Sequence, residues 1–252
     1  HTISFGSLAT KQVGDAAFSL TATSSSGLTV TYTSSDLNVA TVSGSTVTIV
    51  GAGTTVIRAS QAGSSSWNAA TEVEQTLTVL PRTVLLISGA TVNGKEYDGN
   101  RTANVDFSMA ELDGVSGGHD VQLVSDSAVG TYDSASAGVG KSVSVTGLSL
   151  SGADAGRYEI GPALLLTGTI EPKGLGVSGL VVNKRGYEGS GEVRAPLDWS
   201  GHVLSGKVEG DEVYVQTPDG EGKYEDGLVG TNKAVTWWNR DPVLGGGAAS
   251  NY

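Results

Sequence analysis

The chain has 252 residues, a length that allows one large domain or two to three small ones. Its net charge of −11 excludes a nucleic-acid binder, because such a protein needs a basic surface that displaces counterions from phosphates. There is no cysteine, which excludes disulfides and thiolate metal sites. The sequence also lacks a run of about 18 apolar residues, the length that predicts a membrane-spanning helix.

Residues 1–80 alternate apolar and polar residues in short runs that are separated by turn residues. This period of two predicts strands, whereas no window of the chain shows the apolar spacing of a helix. The predicted strands of this segment cover residues 29–33, 39–42, 46–50, 55–59 and 76–79. Short strands without helical crossovers predict an all-β fold, with a small antiparallel sandwich over residues 1–80.

Two prolines mark the boundaries of further modules. Pro81 precedes Arg82, and Pro172 lies between Glu171 and Lys173. Proline lacks an amide donor and favours an extended residue before it, so each proline predicts the end of a strand and a short, stiff connection. The sequence therefore predicts three modules in an elongated array, over residues 1–80, 83–172 and 173–252.

The second and third modules share an internal repeat. Tyr97-Asp98-Gly99 is matched 90 residues later by Tyr187-Glu188-Gly189. Further matches, at spacings of up to 94 residues, pair His119 with Asp211, Tyr132 with Tyr224, Lys141 with Lys233 and Tyr158 with Tyr252. The drift in spacing indicates small insertions, which loops accept more readily than strands.

The third module is predicted to be incomplete at its C-terminal end. Tyr158 of the second module is followed by a strong strand run over 163–170, whereas the third module stops at the matching Tyr252. A missing strand leaves an unpaired sheet edge. Two interpretations stay open: the chain was cut at this point, or a strand from another copy fills the gap and polymerises the protein head to tail.

The first module resembles a bacterial Ig-like repeat of the MBG type. The resemblance lies in residues 34–42 and 47–55, and in Val13 before Gly14-Asp15, where a tyrosine is usual in that type. The resemblance implies an Ig-like β-sandwich.

The rest of the chain resembles the YDG repeat. In residues 83–172 the resemblance lies in Tyr97-Asp98-Gly99 and in the segment 148–158. Residues 173–252 are similar to a diverged copy, with Glu188 in place of the aspartate and no acidic residue in the second signature. These repeats occur in large secreted bacterial proteins, including haemagglutinin-like adhesins and autotransporter passengers. The resemblance implies an extracellular or cell-surface location, and it carries over no catalytic or ligand-binding residue.

The sequence offers no convincing catalytic group. A hydrolase needs a base beside its nucleophile, but His1 is terminal and the other two histidines, His119 and His202, lie in turn-like segments. The carboxylate pairs Asp211-Glu212 and Glu225-Asp226 are adjacent in sequence, and adjacent residues of a strand point to opposite faces. We therefore expect a protein that is not an enzyme and that needs no cofactor.

A structural calcium ion is the one cofactor that the sequence leaves open. Calcium takes oxygen ligands from loops, and the second module places several such residues at turn-like positions. The weak candidates are Asp98, Asn100, Asp120, Asp126, Asp133 and Asp154. The alternative for Tyr97-Asp98-Gly99 is a plain turn, in which the aspartate binds backbone amides, the glycine takes a positive φ and the tyrosine packs at the edge of the core.

Tryptophan is the residue type best suited to stack on a sugar. The weak candidates for glycan binding are Trp67, Trp199, Trp237 and Trp238. Trp237 and Trp238 are adjacent, so on a strand one ring faces inward and the other outward. Packing in a core or against a neighbouring module is the alternative role for these rings.

These observations favour a structural stalk or spacer in a secreted bacterial adhesin or fibre, with neighbouring repeats of the same protein as partners. The alternatives are an adhesive module that binds a glycan or a host-surface protein, and a subunit that self-assembles by strand donation into the third module.

Overall fold

The computed structural model describes the backbone of residues 1–182, 194–216, 221–224, 235–238 and 243–252. Side chains are described for residues 1–182, 196–216 and 243–252. Within these ranges the chain consists of short strands with two single 3-10 turns, which confirms the all-β prediction. None of the described helical segments has the length and apolar character that crossing a bilayer requires.

The strands up to Leu80 alternate buried and exposed residues, as their Val/Thr-rich sequences predict. They are β1 (Ile3–Ser4), β2 (Lys11–Gln12), β3 (Phe18–Ser19), β4 (Thr23–Ser24), β5 (Thr31–Ser34), β6 (Ala40–Ser43), β7 (Thr46–Ile49), β8 (Gly53–Ser60) and β9 (Val73–Leu80).

The strands between the two prolines are β10 (Thr83–Ser88), β11 (Thr91–Asn93), β12 (Lys95–Glu96), β13 (Thr102–Asp106), β14 (Glu111–Asp113), β15 (Gln122–Val124), β16 (Val129–Tyr132), β17 (Gly138–Thr146), β18 (Ser149–Ser151), β19 (Tyr158–Ile160) and β20 (Leu165–Glu171). The first 3-10 turn, Ala155–Arg157, leads directly into β19.

The described strands after Pro172 are β21 (Gly176–Ser178), β22 (Val181–Val182), β23 (Arg194–Asp198), β24 (Val203–Ser205), β25 (Tyr214–Gln216), β26 (Glu221–Tyr224), β27 (Val235–Trp238) and β28 (Val243–Gly245). The second 3-10 turn, Ala249–Asn251, follows β28.

The chain forms two compact units, and residues 83–172 contribute to both. The first unit contains residues 1–90, 107–128 and 145–164, and the second contains residues 91–106, 129–144 and 165–252. The division of the sequence into modules 1–80, 83–172 and 173–252 stays a prediction.

The first unit holds a core between two small sheets of residues 1–80. One sheet has the order β2-β9-β8-β5 and the other has the order β3-β7-β6. Their inward faces are aliphatic, and the fully buried side chains include Val47, Ile57 and Leu77. In the same unit, β10 pairs with both β14 and β19, and β15 pairs with β18.

The second unit is built on a six-stranded sheet of order β11-β13-β16-β17-β20-β12. Its core contains Tyr97, Tyr132, Val143 and Ile170, all at most 4% exposed. The same unit contains the β22-β23-β26-β27 sheet and the pairs β21-β24 and β25-β28.

Two long hairpins, one in each unit, follow the same plan. In the first unit β8 pairs antiparallel with β9, starting from Gly53 opposite Val79. In the second unit β17 pairs antiparallel with β20, starting from Gly138 opposite Ile170. The last strand of each hairpin also pairs in parallel with an early short strand, β9 with β2 and β20 with β12. The loop that follows each early strand therefore occupies an equivalent position.

Candidate functional site

The loop of residues 12–15 follows β2 and is held at the end of the first sandwich. The Val13 amide donates to the Leu80 carbonyl (3.0 Å), and the Gln12 amide donates to Asp15 Oδ2 (2.9 Å). Gly14 has φ +98°, and a Cβ at this position would lie 2.6 Å from the Arg157 backbone nitrogen and closer still to the Gly156 carbonyl group. Residue 14 must therefore be glycine for the loop to contact the first 3-10 turn.

An ion pair closes this contact. Arg157 Nη2 lies 2.8 Å from Asp15 Oδ1, with the two side chains 33% and 15% exposed. The Arg82 Nε donates to the Gly156 carbonyl (3.0 Å), and Gln12 Nε2 donates to the Pro81 carbonyl (3.1 Å). We call this cluster, formed by loop 12–15, the linker at Pro81 and Arg82, and the first 3-10 turn, the first junction.

Polar contacts fix the turn that the first junction uses. The Tyr158 hydroxyl accepts from the Ser116 amide (3.1 Å) and lies 2.6 Å from His119 Nδ1. His119 Nε2 lies 3.4 Å from Arg157 Nη1 and faces a group that can only donate, so Nε2 accepts this hydrogen bond. His119 thus supports Arg157 from the turn-like segment in which the sequence places it.

The loop of residues 96–99 repeats this arrangement in the second unit. The Tyr97 amide donates to the Glu171 carbonyl (2.8 Å), as the Val13 amide does to Leu80. Gly99 has φ +77°, and a Cβ there would lie 2.9 Å from Val208 Cγ1. The Tyr97 side chain is 4% exposed and reaches the residues around the second 3-10 turn.

A carboxylate joins two tyrosines at this second contact. Tyr252 donates to Asp211 Oδ2 (2.6 Å), and Tyr97 donates to Asp211 Oδ1 (3.1 Å). The two rings meet edge to face, with centroids 5.5 Å apart. Burial, reinforced by the hydrogen bonds to the Asp211 carboxylate, raises the pKa of both tyrosines above its ordinary value.

The linker at Pro172 completes the second contact. The Lys173 amide donates to the Asn251 carbonyl (2.8 Å), and Lys173 Nζ lies 3.1 Å from Glu96 Oε1. Asn251 is 8% exposed, and its Oδ1 accepts from the Ala137 amide (2.9 Å). We call this cluster, formed by loop 96–99, the linker at Pro172 and Lys173, and the second 3-10 turn, the second junction.

The two junctions share a plan but differ in chemistry. In each, a loop after an early strand, a linker after a proline and a 3-10 turn meet. The tyrosines also correspond, since the Val208 amide donates to the Tyr252 hydroxyl (2.8 Å) as the Ser116 amide does to Tyr158. The first junction is closed by the ion pair of Asp15 and Arg157, and the second by two tyrosines that share one carboxylate.

The YDG motif itself forms the turn that the sequence offered as an alternative to a calcium site. Asp98 Oδ1 accepts from the Asn100 amide (3.0 Å) and from Lys95 Nζ (2.7 Å). The same ammonium donates to Asn100 Oδ1 (2.8 Å). Burial acts to raise the pKa of Asp98, but the Lys95 ammonium and the Asn100 amide outweigh it and hold that pKa below its ordinary value. The Lys95 ammonium therefore binds the Asp98 and Asn100 oxygen atoms that the sequence offered as calcium ligands.

The other calcium candidates fall at three separate places. Asp120 and Asp154 are together, because the Asp120 amide donates to Asp154 Oδ2 (3.1 Å) and Asp120 Oδ2 accepts from the Ala153 amide. Asp133 pairs with Lys141 (3.4 Å), and Asp126 lies in an exposed turn. Over the described part of the chain, no three histidine or acidic side chains converge as metal ligands.

The four tryptophans lie in different environments. Trp67 is 46% exposed on the loop between β8 and β9, whereas Trp199 is 8% exposed and packs edge to face against His202. Trp237 and Trp238 belong to β27, where they lie opposite Gly222 and Glu221, and their side chains fall outside the described residues.

Two of the acidic residues considered for catalysis, Asp211 and Glu212, accept hydrogen bonds beside the second 3-10 turn. Asp211 accepts from two tyrosines, and the Glu212 carbonyl accepts from the Ala248 amide (3.1 Å). Glu225 and Asp226 lie outside the described residues, as does the third-module motif at 187–189. An open depression in the first unit lies beside β14 and β15 and is lined largely by apolar residues such as Phe107, Leu112 and Leu123.

Sequence reasoning did not single out Asp15 and Arg157 as a pair. Its only signal was the spacing that matched His119 with Asp211 and Tyr158 with Tyr252, and the structure places both pairs at the junctions. The partner of the YDG tyrosine, Asp211, lies 114 residues away, a distance that no local motif reveals.

Three solved structures show a low similarity to the chain. The first, the surface layer protein SbsC, domains 1–6, is 11% identical, with a TM-score of 0.23, over 88% of this chain and 35% of that one. The second, SGBP-B of the Bacteroides ovatus mixed-linkage glucan utilization locus, in complex with a heptasaccharide, is 11% identical, with a TM-score of 0.22, over 92% of this chain and 66% of that one. The third, titin I-band fragment I67–I69, is 10% identical, with a TM-score of 0.23, over 86% and 85%.

The sequence comparisons identify the repeat. No curated protein sequence matches the chain. The family model described as the YDG domain matches residues 81–164 and again residues 171–252, which confirms the predicted repeat, while the MBG resemblance of residues 1–80 stays a prediction. Because the two matched ranges cover well over half of the chain, the protein belongs to the YDG domain family.

Proposed function

We propose that the chain is a non-catalytic spacer of a secreted bacterial surface protein, in which successive domains hold one another at fixed junctions. The observation that carries this proposal is the repetition of one contact plan with two chemistries, at Asp15 and Arg157 and again at Tyr97 and Asp211. A contact between two neighbouring domains that had no general role would not need to recur at the next pair of domains. A contact that recurs with each repeat is what a spacer requires.

The contacts at each junction restrain the linker as well as the domains it joins. Linked domains move relative to one another by default unless their contacts oppose it. At the first junction Arg82 is bound to the 3-10 turn through Gly156, and at the second Lys173 is bound through Asn251. Each linker therefore has little conformational freedom. The orientation of one domain would then fix the orientation of the next along the chain.

The net charge of −11 supports a surface location, because it opposes self-association of a protein held at high local density. The YDG repeat, which resembles segments of large secreted bacterial proteins, supports the same location. Neighbouring repeats of the same protein are the partners that this function needs.

Small-angle scattering of the 252-residue chain tests the proposal. A compact globule of this length has a radius of gyration of about 18 Å. A spacer predicts a clearly larger radius that stays constant across salt concentrations. A radius near that of the globule would contradict the spacer function.

A second candidate function is adhesion to a glycan, which the exposed ring of Trp67 favours. A glycan array probed with the wild-type chain and with Trp67→Ala separates the two functions. Specific binding that the substitution abolishes would replace the spacer proposal with an adhesive one, and the spacer proposal predicts no specific binding.

A further inference from the structure

We propose that the depression beside β14 and β15 is a docking site for an extended, basic segment of another polypeptide, which inserts one aromatic side chain into it. The proposal goes beyond the spacer function and does not depend on it, because it assigns a foreign partner to one domain. The residues that line the depression all belong to the first compact unit.

The region after Pro172 contains the counterpart of this depression. β24 pairs with β21 in the same register as β14 pairs with β10, which makes Leu204 the counterpart of Leu112 at the centre of each ladder. β25 pairs with β28 as β15 pairs with β18, which makes Val215 the counterpart of Leu123. The same four strands therefore recur in both YDG repeats, and their residues can be compared one by one.

Two aromatic side chains distinguish the counterpart from the depression. At equal distances before the two central leucines, Trp199 corresponds to Phe107 and His202 to Ala110. The Trp199 side chain is 8% exposed, and its ring meets the His202 ring edge to face at 5.7 Å. Phe107 and Ala110 are smaller, and both line the depression. The first repeat therefore leaves open a space that rings occupy in the second.

The burial of the surrounding residues follows this difference. Val213 and Val215 are 6% and 5% exposed, whereas their counterparts Val121 and Leu123 are only half-buried. Phe107 is half-buried as well, although Trp199 is buried at the matching position. An aromatic side chain inserted from outside would remove these apolar groups from water, which is the main favourable contribution to association.

The strands beside the depression favour a polypeptide as the carrier of this ring. β14 is the last strand of the sheet β14-β10-β19, and β15 belongs to the two-stranded pair β15-β18, so within the described part of the chain each has one edge without a partner strand. An edge strand presents backbone amides and carbonyls to which an extended segment can bond. Alternate side chains of that segment point the same way, so the neighbours of an inserted ring face solvent.

The charge around the depression favours a basic segment. Residues 107–128 contain no lysine or arginine and four acidic side chains, which are Glu111, Asp113, Asp120 and Asp126. The ion pairs found among the described residues all use other carboxylates. Lysine side chains beside the inserted ring would complement this surface. A second copy of the chain, with its net charge of −11, would be repelled.

A short peptide tests the proposal on the 252-residue chain. The probe is a capped peptide of valine, lysine, tryptophan, lysine and valine, in which the apolar and basic side chains alternate. Methyl resonances in NMR spectra report where it binds. We expect saturable shifts at Leu112 and Leu123. The methyl groups of Val213 and Val215 are matched controls within the same molecule and should not shift, because their site already holds Trp199.

Two variants of the peptide separate the ring from the charge. Alanine in place of tryptophan should weaken binding at least about tenfold, because aromatic anchors supply much of the binding energy at an interface. Glutamate in place of both lysines should also weaken it, and the binding of the lysine peptide should decrease as the salt concentration rises. Equal affinity of the alanine peptide would overturn the aromatic occupant, and equal affinity of the glutamate peptide would overturn the basic one.

Filling the depression from within is the second test. The double substitution Phe107→Trp, Ala110→His introduces the ring pair of the counterpart site and should abolish the shifts at Leu112 and Leu123. A thermal unfolding midpoint at or above that of the wild type shows that the variant is folded. Binding that persists in the folded variant would overturn the proposal, and so would an absence of shifts in the wild type. The peptide series on the wild-type chain decides the matter if the variant does not fold.

Discussion

Tyr97 and Arg157 perform the same task with different chemistry. Each reaches from one element to another across a predicted domain boundary, and each meets an acidic residue, Asp211 or Asp15. At the second junction two tyrosine hydroxyls donate to the Asp211 carboxylate, whereas at the first junction the Arg157 guanidinium places a cation beside the Asp15 carboxylate. The residue at each junction therefore selects its partner by chemistry as well as by shape.

The ion pair of the first junction should stabilise the fold measurably. Arg157→Ala leaves the Asp15 carboxylate largely buried without its cation, so we expect a loss of about 1–3 kcal/mol in the free energy of unfolding. Asp15→Ala and the double variant complete a thermodynamic cycle, in which the two losses should be less than additive. Urea unfolding at neutral pH measures all of these values.

Arg58 supplies the matched control for that cycle. It pairs with Glu72 and Glu74, but all three side chains are about half exposed, so solvent screens the interaction. Arg58→Ala should destabilise the chain measurably less than Arg157→Ala. Additive losses for Asp15 and Arg157, or an equal loss for Arg58, would contradict the role of the ion pair.

The tyrosines of the second junction should make the folding stability depend on pH in the alkaline range. Burial first, and then the hydrogen bonds to Asp211, raise the pKa of Tyr97 and Tyr252, so the folded state favours their protonated forms. Their contribution to stability is complete below the unfolded tyrosine pKa of about 10 and is lost as the pH rises through the folded values. The double variant Tyr97→Phe, Tyr252→Phe should lose stability near neutral pH and respond less to pH above about 10.

Tyr32→Phe is the control for this pH dependence. The Tyr32 hydroxyl accepts from the Ala22 amide (2.9 Å) and donates to the Ala22 carbonyl (3.4 Å). The control variant loses a tyrosine hydroxyl and leaves the Asp211 cluster intact, so it should be less stable than wild type. An unchanged alkaline slope in the double variant would show that the Asp211 cluster does not control it.

At the scale of elements, the order of short strands and turns could be predicted from sequence. The predicted runs 55–59 and 76–79 lie within the hairpin of β8 and β9, because alternation of Val and Thr fits one buried and one exposed face. The parallel pairings of β2 with β9 and of β12 with β20 could not be predicted. Each joins strands more than 60 residues apart, and two-residue strands carry no periodicity to recognise.

Side chains at the candidate sites were harder to predict for the same reason. The turn around Asp98 follows from local rules, because Asp and Gly both favour turns. The burial of Trp199 and the exposure of Trp67 depend on which loops lie above them, and composition does not encode this. Local chemistry was accessible from sequence, whereas contacts between distant loops were not.

Gly14 and Gly44 should differ sharply in the stability that is lost when each is replaced by alanine. Gly14→Ala places a methyl group into the backbone of the first 3-10 turn, in addition to straining a positive φ, so it should cost more than about 2 kcal/mol. Gly44 also has a positive φ, +59°, but no atom lies within 4 Å of its Cβ position. Gly44→Ala should cost only about 1 kcal/mol, from backbone strain alone.

Thermal unfolding of the two variants measures this difference. Both variants keep the same net charge and the same change in side-chain size. They differ in the contact with the 3-10 turn and in φ, which is +98° at Gly14 and +59° at Gly44. Equal destabilisation would mean that loop 12–15 does not hold the turn, and the first junction would lose its main steric contact.

For the whole molecule, we infer domains that depend on their neighbours. Small domains bury a modest share of their surface, so we expect contacts across their boundaries to contribute to their stability. The family match over residues 81–164 and 171–252 shows the repeat, and residues 83–172 are divided between the two compact units. The sequence revealed the repeat through its matched tyrosines, but it did not reveal that residues 83–172 are divided between two compact units.

Hydrogen exchange of the Arg157→Ala variant tests the coupling between domains most directly. The substitution lies in the second predicted domain, and Arg58→Ala is the control. The account predicts exchange roughly fivefold faster or more at the amides of residues 12 and 13, as expected for about 1 kcal/mol of lost local stability, because their acceptors lie in the loop and strand that the ion pair holds. Faster exchange confined to residues 149–160, with residues 12 and 13 unchanged, would contradict it.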